Sequence, residues 1–437
     1  MPKDSLRITK MRIVKSNCNF EREPLISPFG FKGGYLSELW QSVVILEDDN
    51  GNKGIGLGVQ STLWSDASIF TSYSESAGNS IMFLMTAFAA QQAKHLSWQS
   101  PIDLLDQLLP ITYDCGKKIT GNPHLRLTFA LNALVPVDNA AWVVYCKANG
   151  MTSFDQMIPD QLKASLPCHH DKLGAIPLLT YGVPLEQIKT ILEDGYFFLK
   201  IKIGSDPNKD DNLDTMLEWD TNRLKDIHSL ASQYSTPYTS NGKLAYYLDA
   251  NGRYNKEHLL KLLRYAEKIG ALEQIILVEE PYPEECLIDV SDIPVCVAAD
   301  ESAHSTRESL ERIKLGYKAI ALKPIAKTMS MSLQIAQAAY DKNIVCFCAD
   351  LTVNPVMVDW NKNVAARLAP LPGMKIGVLE SNGHQNYKNW EQMKSYHPCS
   401  GATWTNIKNG IFTLGDDFYS QSGGILKPMN KYADMFH

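Results

Sequence analysis

Phe197-Phe198-Leu199-Lys200-Ile201-Lys202 opens a series of five apolar runs, each ending in a charged group. Ala245-Tyr246-Tyr247-Leu248-Asp249-Ala250-Asn251 follows, then Ile275-Ile276-Leu277-Val278-Glu279-Glu280-Pro281. Val295-Cys296-Val297-Ala298-Ala299-Asp300-Glu301-Ser302 and Ala319-Ile320-Ala321-Leu322-Lys323-Pro324 complete the series. Unbroken apolar runs of this length suit strands buried on both faces of a parallel sheet. In a barrel of alternating strands and helices, chemistry sits where the strands end at their C-terminal side. The charges occupy that place five times in succession, so the chain reads as an enzyme.

Working outward, Ile176 to Tyr181 is expected to be the first strand of this set, Ile344 to Ala349 the seventh and Lys375 to Leu379 the eighth. Helical patterns separate several of them, as at His258 to Lys268, Arg307 to Leu315 and Ser330 to Lys342. The gap from Glu279 to Asp300 leaves room only for a short helix. The gap from Lys202 to Asp249 is long, and it carries a helical pattern from Met216 to Tyr234. Eight strands mostly alternating with helices specify an α/β barrel more strongly than any single motif. Upstream, Leu6 to Lys15, Trp40 to Glu47 and Lys53 to Gln60 read as strands, and Ser27 to Gly34 as a glycine-rich loop. Gly54, Gly56 and Gly58 lack the spacing of a nucleotide-binding loop and read as a glycine-rich turn region. Ser80 to Leu109 and Pro123 to Tyr145 read as helices, the second interrupted near Pro136. The chain therefore divides into an α+β domain over residues 1–135, a barrel over 136–395, and a C-terminal segment over 396–437.

Composition excludes several classes. The 437 residues carry 45% hydrophobic and 21% charged residues, enough for a large core. A net charge of −6 offers nucleic acid or an anionic membrane no general attraction. Nine scattered cysteines form neither a disulfide framework nor a paired zinc motif and read as reduced thiols. Met1-Pro2-Lys3-Asp4-Ser5 lacks the apolar core of a secretory signal, and no apolar stretch approaches the roughly 20 residues that span a bilayer. The expected location is the cytoplasm.

Asp249, Glu279 and Asp300 end consecutive strands, so their carboxylates can converge. Three anions held together need a cation among them, and carboxylate oxygens suit Mg²⁺, with Mn²⁺ satisfied by the same donors. The bland alternative is three unrelated carboxylates capping helices. Lys200 and Lys202 lie two apart on a strand and share a face. Crowded together, and near a divalent ion, they are expected to depress each other's pKa toward that of a general base. Lys323 ends the sixth strand, across a closed barrel from the second. A base on each side of a bound carbon can remove a proton from one face and return one to the other. Together these parts suit abstraction of the proton α to a carboxylate, with the metal stabilising the dianion that forms. A lone lysine is usually a solvated surface group; one that ends an apolar strand is in a different setting.

The set Lys200-Ile201-Lys202, Asp249-Ala250-Asn251, Glu279-Glu280-Pro281, Ala299-Asp300-Glu301-Ser302 and Leu322-Lys323-Pro324 resembles the enolase superfamily. More narrowly it is similar to the muconate lactonizing enzyme and dipeptide epimerase branch of the mandelate racemase/muconate lactonizing group. That superfamily pairs a lysine or histidine base with magnesium. The resemblance implies a modified (β/α)₇β TIM barrel under an N-terminal α+β capping domain, with the C-terminal segment 396–437 packing back on that cap. It implies Asp249, Glu279 and Asp300 as metal ligands, Lys202 and Lys323 as acid/base groups, and Lys200 on the substrate carboxylate. Asn251 and Glu301, beside those ligands, would support them. Phe29 to Gly34 and the region around Trp64 match the loops that close over substrate. The chain departs from the mandelate-type branch in lacking a His–Asp dyad: Asp350 ends the seventh strand. It departs from dipeptide epimerases in reading Leu379-Glu380-Ser381-Asn382 where they carry Asp-x-Asp. Asp350 and Glu380 would then face the site and bind hydroxyls or an amine, or else cap the helices that follow them.

The resulting expectation is a Mg²⁺-dependent racemase or epimerase of a small carboxylate, working as a homo-oligomer without nucleic acid or membrane partners. Two alternatives share its parts: an acid-sugar dehydratase or cycloisomerase using the same half-reaction, and a non-catalytic, metal-stabilised binding protein on a borrowed fold.

Overall fold

The computed structural model describes residues 10–31 and 34–436, with the backbone alone at 29–31 and 34. The expected strand from Leu6 begins at Met11; Leu6 and Ile8 lie outside the described residues, as do Lys32 and Gly33 of the expected glycine-rich loop. The rest of that loop is strand. Met11–Phe31 and Gly34–Asp48 pair antiparallel almost to their tips, with irregularities between Ile13 and Lys15 and between Pro24 and Phe29. Lys53–Gln60 joins the second of them, so the capping sheet is a meander carrying a small fourth strand, Ser97–Trp98.

Gly54, Gly56 and Gly58 are not a turn. They alternate along Lys53–Gln60 and face the helix Leu127–Ala148. A Cβ on Gly56 would stand 2.0 Å from the Pro136 carbonyl oxygen and 2.3 Å from the Ala140 nitrogen. One on Gly58 would stand 2.6 Å from Pro136 Cδ, and one on Gly54 2.3 Å from the Ala140 carbonyl oxygen. The bare stripe lets helix and sheet meet backbone to backbone. The same contact explains why Pro136 does not interrupt the helix, which runs unbroken through it. A proline inside a helix costs about 3 kcal/mol in isolation, and the packing at this face outweighs it. By length and composition this helix could cross a membrane, contrary to the expectation that no stretch would qualify, yet 94% of its apolar window is buried inside the protein. Its apolarity serves the core of the cap.

The barrel closes as a ring of eight parallel strands. The first is broken at Pro177 into Lys172–Ile176 and Leu178–Leu179. Its first half pairs with the eighth strand, Gly377–Glu380, and its second half with the second, Phe198–Lys202. Between them run Ala245–Asp249, Ile275–Glu279, Val297–Ala299, Ala319–Leu322 and Val345–Cys348 in sequence order. Register lines up Lys202 with Asp249, Asp249 with Glu279, and Glu279 with Ala298, two residues before Asp300. The helices Leu185–Glu193, Leu213–Ala231, Lys256–Lys268, Thr306–Lys314, Met329–Tyr340 and Pro355–Ala365 cover the outside. The short helix expected between Glu279 and Asp300 does not form. Pro281, Pro283 and Pro294 each withhold a donor there, and the segment is built of turns.

The fold is thus α/β, a barrel of the modified TIM type under a capping sheet and its helices. One hydrophobic cluster runs from Ile13 in the cap to Leu379 in the barrel. Polar ties join the two as well. Gln41 of the cap accepts from Asn354 at 2.9 Å and donates to Tyr387 at 2.9 Å, whose hydroxyl donates to the Thr352 carbonyl at 2.6 Å. The C-terminal segment also reaches the capping hairpin: Asn19 donates to the Met435 carbonyl at 3.0 Å, and Lys431 pairs with Glu21. All nine cysteines are free thiols.

The glycine stripe gives a direct expectation. Gly56→Ala destabilises the protein by about 3 kcal/mol in urea unfolding, because the atoms it meets are backbone. Gly182→Ala, with nothing within 4 Å of its added carbon, stays within about 0.5 kcal/mol of wild type.

Candidate active site

The five charged strand ends converge at one mouth of the barrel, where they meet the cap. Lys200, Lys202, Asp249, Asn251, Asp300, Glu301, Lys323, Asp350, Glu380 and Asn382 all line one cavity, and its remaining walls are mostly apolar. Leu25, Leu36 and Leu39 of the capping hairpin and Trp64 from the turn after the third cap strand close it from above. The cavity encloses about 550 Å³ of space between atoms, open mouth included, of which about 50 Å³ has room for the centre of a water molecule. The expected closing loop, Phe29 to Gly34, lies where side chains are not described; leucines of the same hairpin take part instead.

Alternation along each strand decides which side chains point inward. Lys200 and Lys202 share the inner face of the second strand, and Tyr247 and Asp249 that of the third. The Lys200 ammonium lies 3.0 Å from Asp249 Oδ2, 3.0 Å from Glu279 Oε2 and 3.1 Å from Glu380 Oε2. Its Nζ also sits 4.6 Å from the Tyr247 ring centre. Lys202 donates to Asp249 Oδ2 at 2.6 Å and to Asn251 Oδ1. Asn251 in turn donates to Glu301 at 2.9 Å. Lys323 pairs with Asp300 Oδ2 and stands 4.7 Å from the Trp64 ring centre. The second and sixth strands are four places apart in a ring of eight, so Lys202 and Lys323 rise from opposite walls. The third, fourth and fifth strands, which carry Asp249, Glu279 and Asp300, lie between them.

The expected depression of the lysine pKa is reversed at Lys200. Burial alone would lower Lys200, but Asp249, Glu279 and Glu380 outweigh it and hold the ammonium well above its ordinary value. Lys323 is likewise held up, by Asp300 and then Glu279 against burial. The carboxylates lie at contact distance, so attraction to them exceeds repulsion between lysines. The acids respond in opposite directions. Asp249 is pulled below its usual range because Lys200 and Lys202 overcome its burial. Asp300 is pulled down by Lys323 and Lys327 in the same way. Glu279 is pushed well up by burial and by the neighbouring Asp249.

Glu279, Asp300 and Glu301 bring carboxylate oxygens within 4.8 Å of one another, all buried. Asp249 stands beside them, joined to Glu279 through Lys200. Glu279 Oε1 is buried with no hydrogen-bond partner. Crowded hard oxygen donors with an unsatisfied buried atom fit a divalent cation such as Mg²⁺. At the eighth-strand side, Asp350 Oδ2 accepts from the Asn382 backbone at 2.8 Å, and Glu380 Oε2 accepts from the Asp350 backbone at 3.0 Å. Asp350 Oδ1 is buried without a partner. Burial, with repulsion from Glu380, pushes the Asp350 carboxyl up to about 7.

Three residues escaped the sequence reading. Tyr247, two before Asp249 and so on the same face, donates its hydroxyl to Glu279. Glu280 turns away from the cavity and accepts the Asp300 backbone N–H at 2.8 Å and the Ser302 N–H at 3.1 Å. Its backbone is left-handed, φ +40°, as is that of Asn251 at +44°. Such strain costs about 1–3 kcal/mol per residue and gathers at functional sites. Lys327, fully buried, grips Asp300. Only Tyr247 carried a periodicity signal.

No protein-family model matches this sequence, and no curated protein sequence matches it. Solved structures do. A mandelate racemase/muconate lactonizing protein from Herpetosiphon aurantiacus superposes with a TM-score of 0.66 at 18% identity, over 93% of this chain and 96% of that one. A dipeptide epimerase from Enterococcus faecalis, complexed with Mg and the dipeptide L-Leu-L-Tyr, gives 0.57 at 17% identity over 86% and 90%. An N-succinyl Arg/Lys racemase from Bacillus cereus gives 0.58 at 17% over 87% and 89%. The fold is that of the mandelate racemase/muconate lactonizing group of the enolase superfamily. At these identities the likeness is one of architecture; the named neighbours with an assigned reaction are racemases and epimerases.

Asp350 supplies a test of the electrostatics. A carboxyl whose pKa rises on folding binds its proton more tightly in the folded state. Folded stability therefore falls as pH rises from about 4, where the unfolded carboxyl ionises, to about 7, where the folded one does. Asp350→Asn removes that term. Its melting temperature should gain on that of wild type across this window and hold a constant difference above it, as followed by circular dichroism.

Proposed function

We propose that this protein is a Mg²⁺-dependent racemase or epimerase acting at the α-carbon of a small carboxylate. The observation that carries the reading is the placement of Lys202 and Lys323. They line one cavity from opposite walls, with acids on the three strands between. Racemisation needs that arrangement, because the proton leaves one face of the carbon and another arrives at the opposite face.

Asp249, Glu279 and Asp300 would hold the cation, with Glu301 beside them and Asn251 bracing both Lys202 and Glu301. When bound, the cation supplies positive charge against the substrate carboxylate and competes with the lysines for their acids. Lys200 would pair with the substrate carboxylate. As one lysine takes the α-proton, the C–H electron pair moves into the carboxylate, which becomes a dianion. The other lysine, as an ammonium, delivers a proton to the far face and restores the carboxylate. Asp350 and Glu380 would receive a donor group of the substrate, a hydroxyl or an amine. Leu25, Leu36 and Leu39 would cover its apolar part and exclude water. The same reading carries a cytoplasmic homo-oligomer, which sedimentation of the purified protein would show as a single species larger than the monomer.

The test is α-proton exchange in D₂O over a panel of carboxylates, read by NMR. Wild type should incorporate deuterium and interconvert the stereoisomers, and EDTA should abolish both. Lys202→Met and Lys323→Met should each lower interconversion at least ~100-fold, while each still exchanges the proton of one stereoisomer through the lysine that remains. Exchange that survives both substitutions together would overturn the assignment. Formation of a 2-keto acid in place of the stereoisomer would redirect it to dehydration.

A further inference from the structure

We propose that Lys327 is a positioning residue of this site, one that commits the two oxygens of Asp300 to different tasks. The inference rests on the reading above for the role of Asp300, and on geometry for the rest. The Lys327 ammonium is fully buried and lies 2.6 Å from the Asp300 carbonyl oxygen, 3.0 Å from Asp300 Oδ1, 3.1 Å from the Ala303 carbonyl and 3.4 Å from the Ala321 carbonyl. An ammonium has three protons and no acceptor capacity. All of its donors are therefore spent on the turn that follows the fifth strand and on the end of the sixth. Lys327 does not line the cavity, whereas Lys323, which pairs with the other oxygen of Asp300, does.

Asp300 is consequently held on four sides. Glu280 accepts its backbone N–H, Lys327 donates to its carbonyl and to Oδ1, and Lys323 meets Oδ2. Turning the carboxylate plane about its Cβ–Cγ bond away from this orientation would break the contacts to Lys327 and Lys323. Only Oδ2 is left to face the cavity and any cation there, so Asp300 offers one donor rather than a chelating pair. Position 328 supports this. Thr328 has φ +69°, a conformation rare outside glycine, at the point where the chain turns from Lys327 into the helix Met329–Tyr340. The backbone accepts strain there in the turn that carries Lys327 inward.

A purely structural staple would affect stability alone, so the experiment reads something else. Lys327→Gln and Lys327→Met are compared with wild type as the Mn²⁺-loaded full-length protein, by the electron paramagnetic resonance spectrum of the bound ion and by steady-state kinetics. The expected result is a changed Mn²⁺ spectrum together with a kcat lowered roughly 10–100-fold, while KM stays within threefold because Lys200, Asp350 and Glu380 are untouched. An unchanged spectrum and kcat in a folded variant, whatever its melting temperature, overturns the proposal. So does failure of both variants to fold, which would make Lys327 a staple only. If wild type binds Mn²⁺ but exchanges no α-proton, the proposed reaction fails while the spectrum still tests Lys327. A wild type that shows no bound Mn²⁺ overturns both.

Discussion

Lys200 keeps three buried carboxylates together at the barrel mouth, and the arrangement of the site depends on it. At about 3 Å and an effective dielectric near 20, each contact is worth roughly 5 kcal/mol of attraction. Burying each ion costs several kcal/mol in return. The network is therefore close to neutral for stability and strong for geometry: it fixes where Asp249, Glu279 and Glu380 point. Among the described residues, acids outnumber bases here. Lys200, Lys202, Lys323 and Lys327 face Asp249, Glu279, Glu280, Asp300, Glu301, Asp350 and Glu380, all within or just behind the same mouth. Two of these acids, Glu280 and Asp350, are pushed up to about 7, in both cases chiefly by burial. Protons, a divalent cation or both would offset this excess of acids among the described residues.

The cap contributes the opposite chemistry. Its hairpin presents leucines and its turn a tryptophan over a barrel floor that is mostly charged or polar, with Leu178 and Leu351 among it. A substrate with a carboxylate at one end and an apolar group at the other satisfies both surfaces in a single orientation. The glycine stripe belongs to the same design. By letting the helix Leu127–Ala148 lie directly on Lys53–Gln60, it fixes the strand whose following turn carries Trp64. The Gln41–Asn354–Tyr387 ties then hold the sheet over the seventh and eighth strands. Packing far from the cavity thus sets the height of its roof.

The barrel was legible because buried parallel strands leave an uninterrupted apolar signature, and because the charged ends of those strands fall in register. Other features depended on partners that sequence does not reveal. Pro136 reads as a helix break until the glycines opposite it are seen. The apolarity of residues 127–148 does not announce whether lipid or protein covers it. The segment after Glu279 could have been read better, since three prolines in fourteen residues argue against even a short helix. The Lys200 shift was misjudged in sign because repulsion between two ammonium groups is visible along a strand, whereas the attraction of acids on other strands appears only when the barrel closes. Lys327 left no pattern at all, being a single lysine in a loop whose importance lies in what it touches.

These failures share a physical form. Local spacing determines which way a side chain faces, and the α/β alternation determines which strand ends become neighbours. Neither determines how a titratable group is shared once the neighbours meet. Asp350 illustrates the point. It is one strand-end acid among several in sequence, but in the fold Glu380 is already committed to Lys200 and to the Asp350 backbone. Asp350 keeps one buried oxygen uncommitted beside the cavity. A neutral hydroxyl could satisfy that oxygen while the carboxyl stays protonated; an ammonium would instead draw it into the ionised form and offset the repulsion from Glu380. Under the proposed function, the protonation state of Asp350 in a complex would be tied to the charge of the group that a substrate brings to the seventh strand, and proton balance would then count with shape in the choice of substrate.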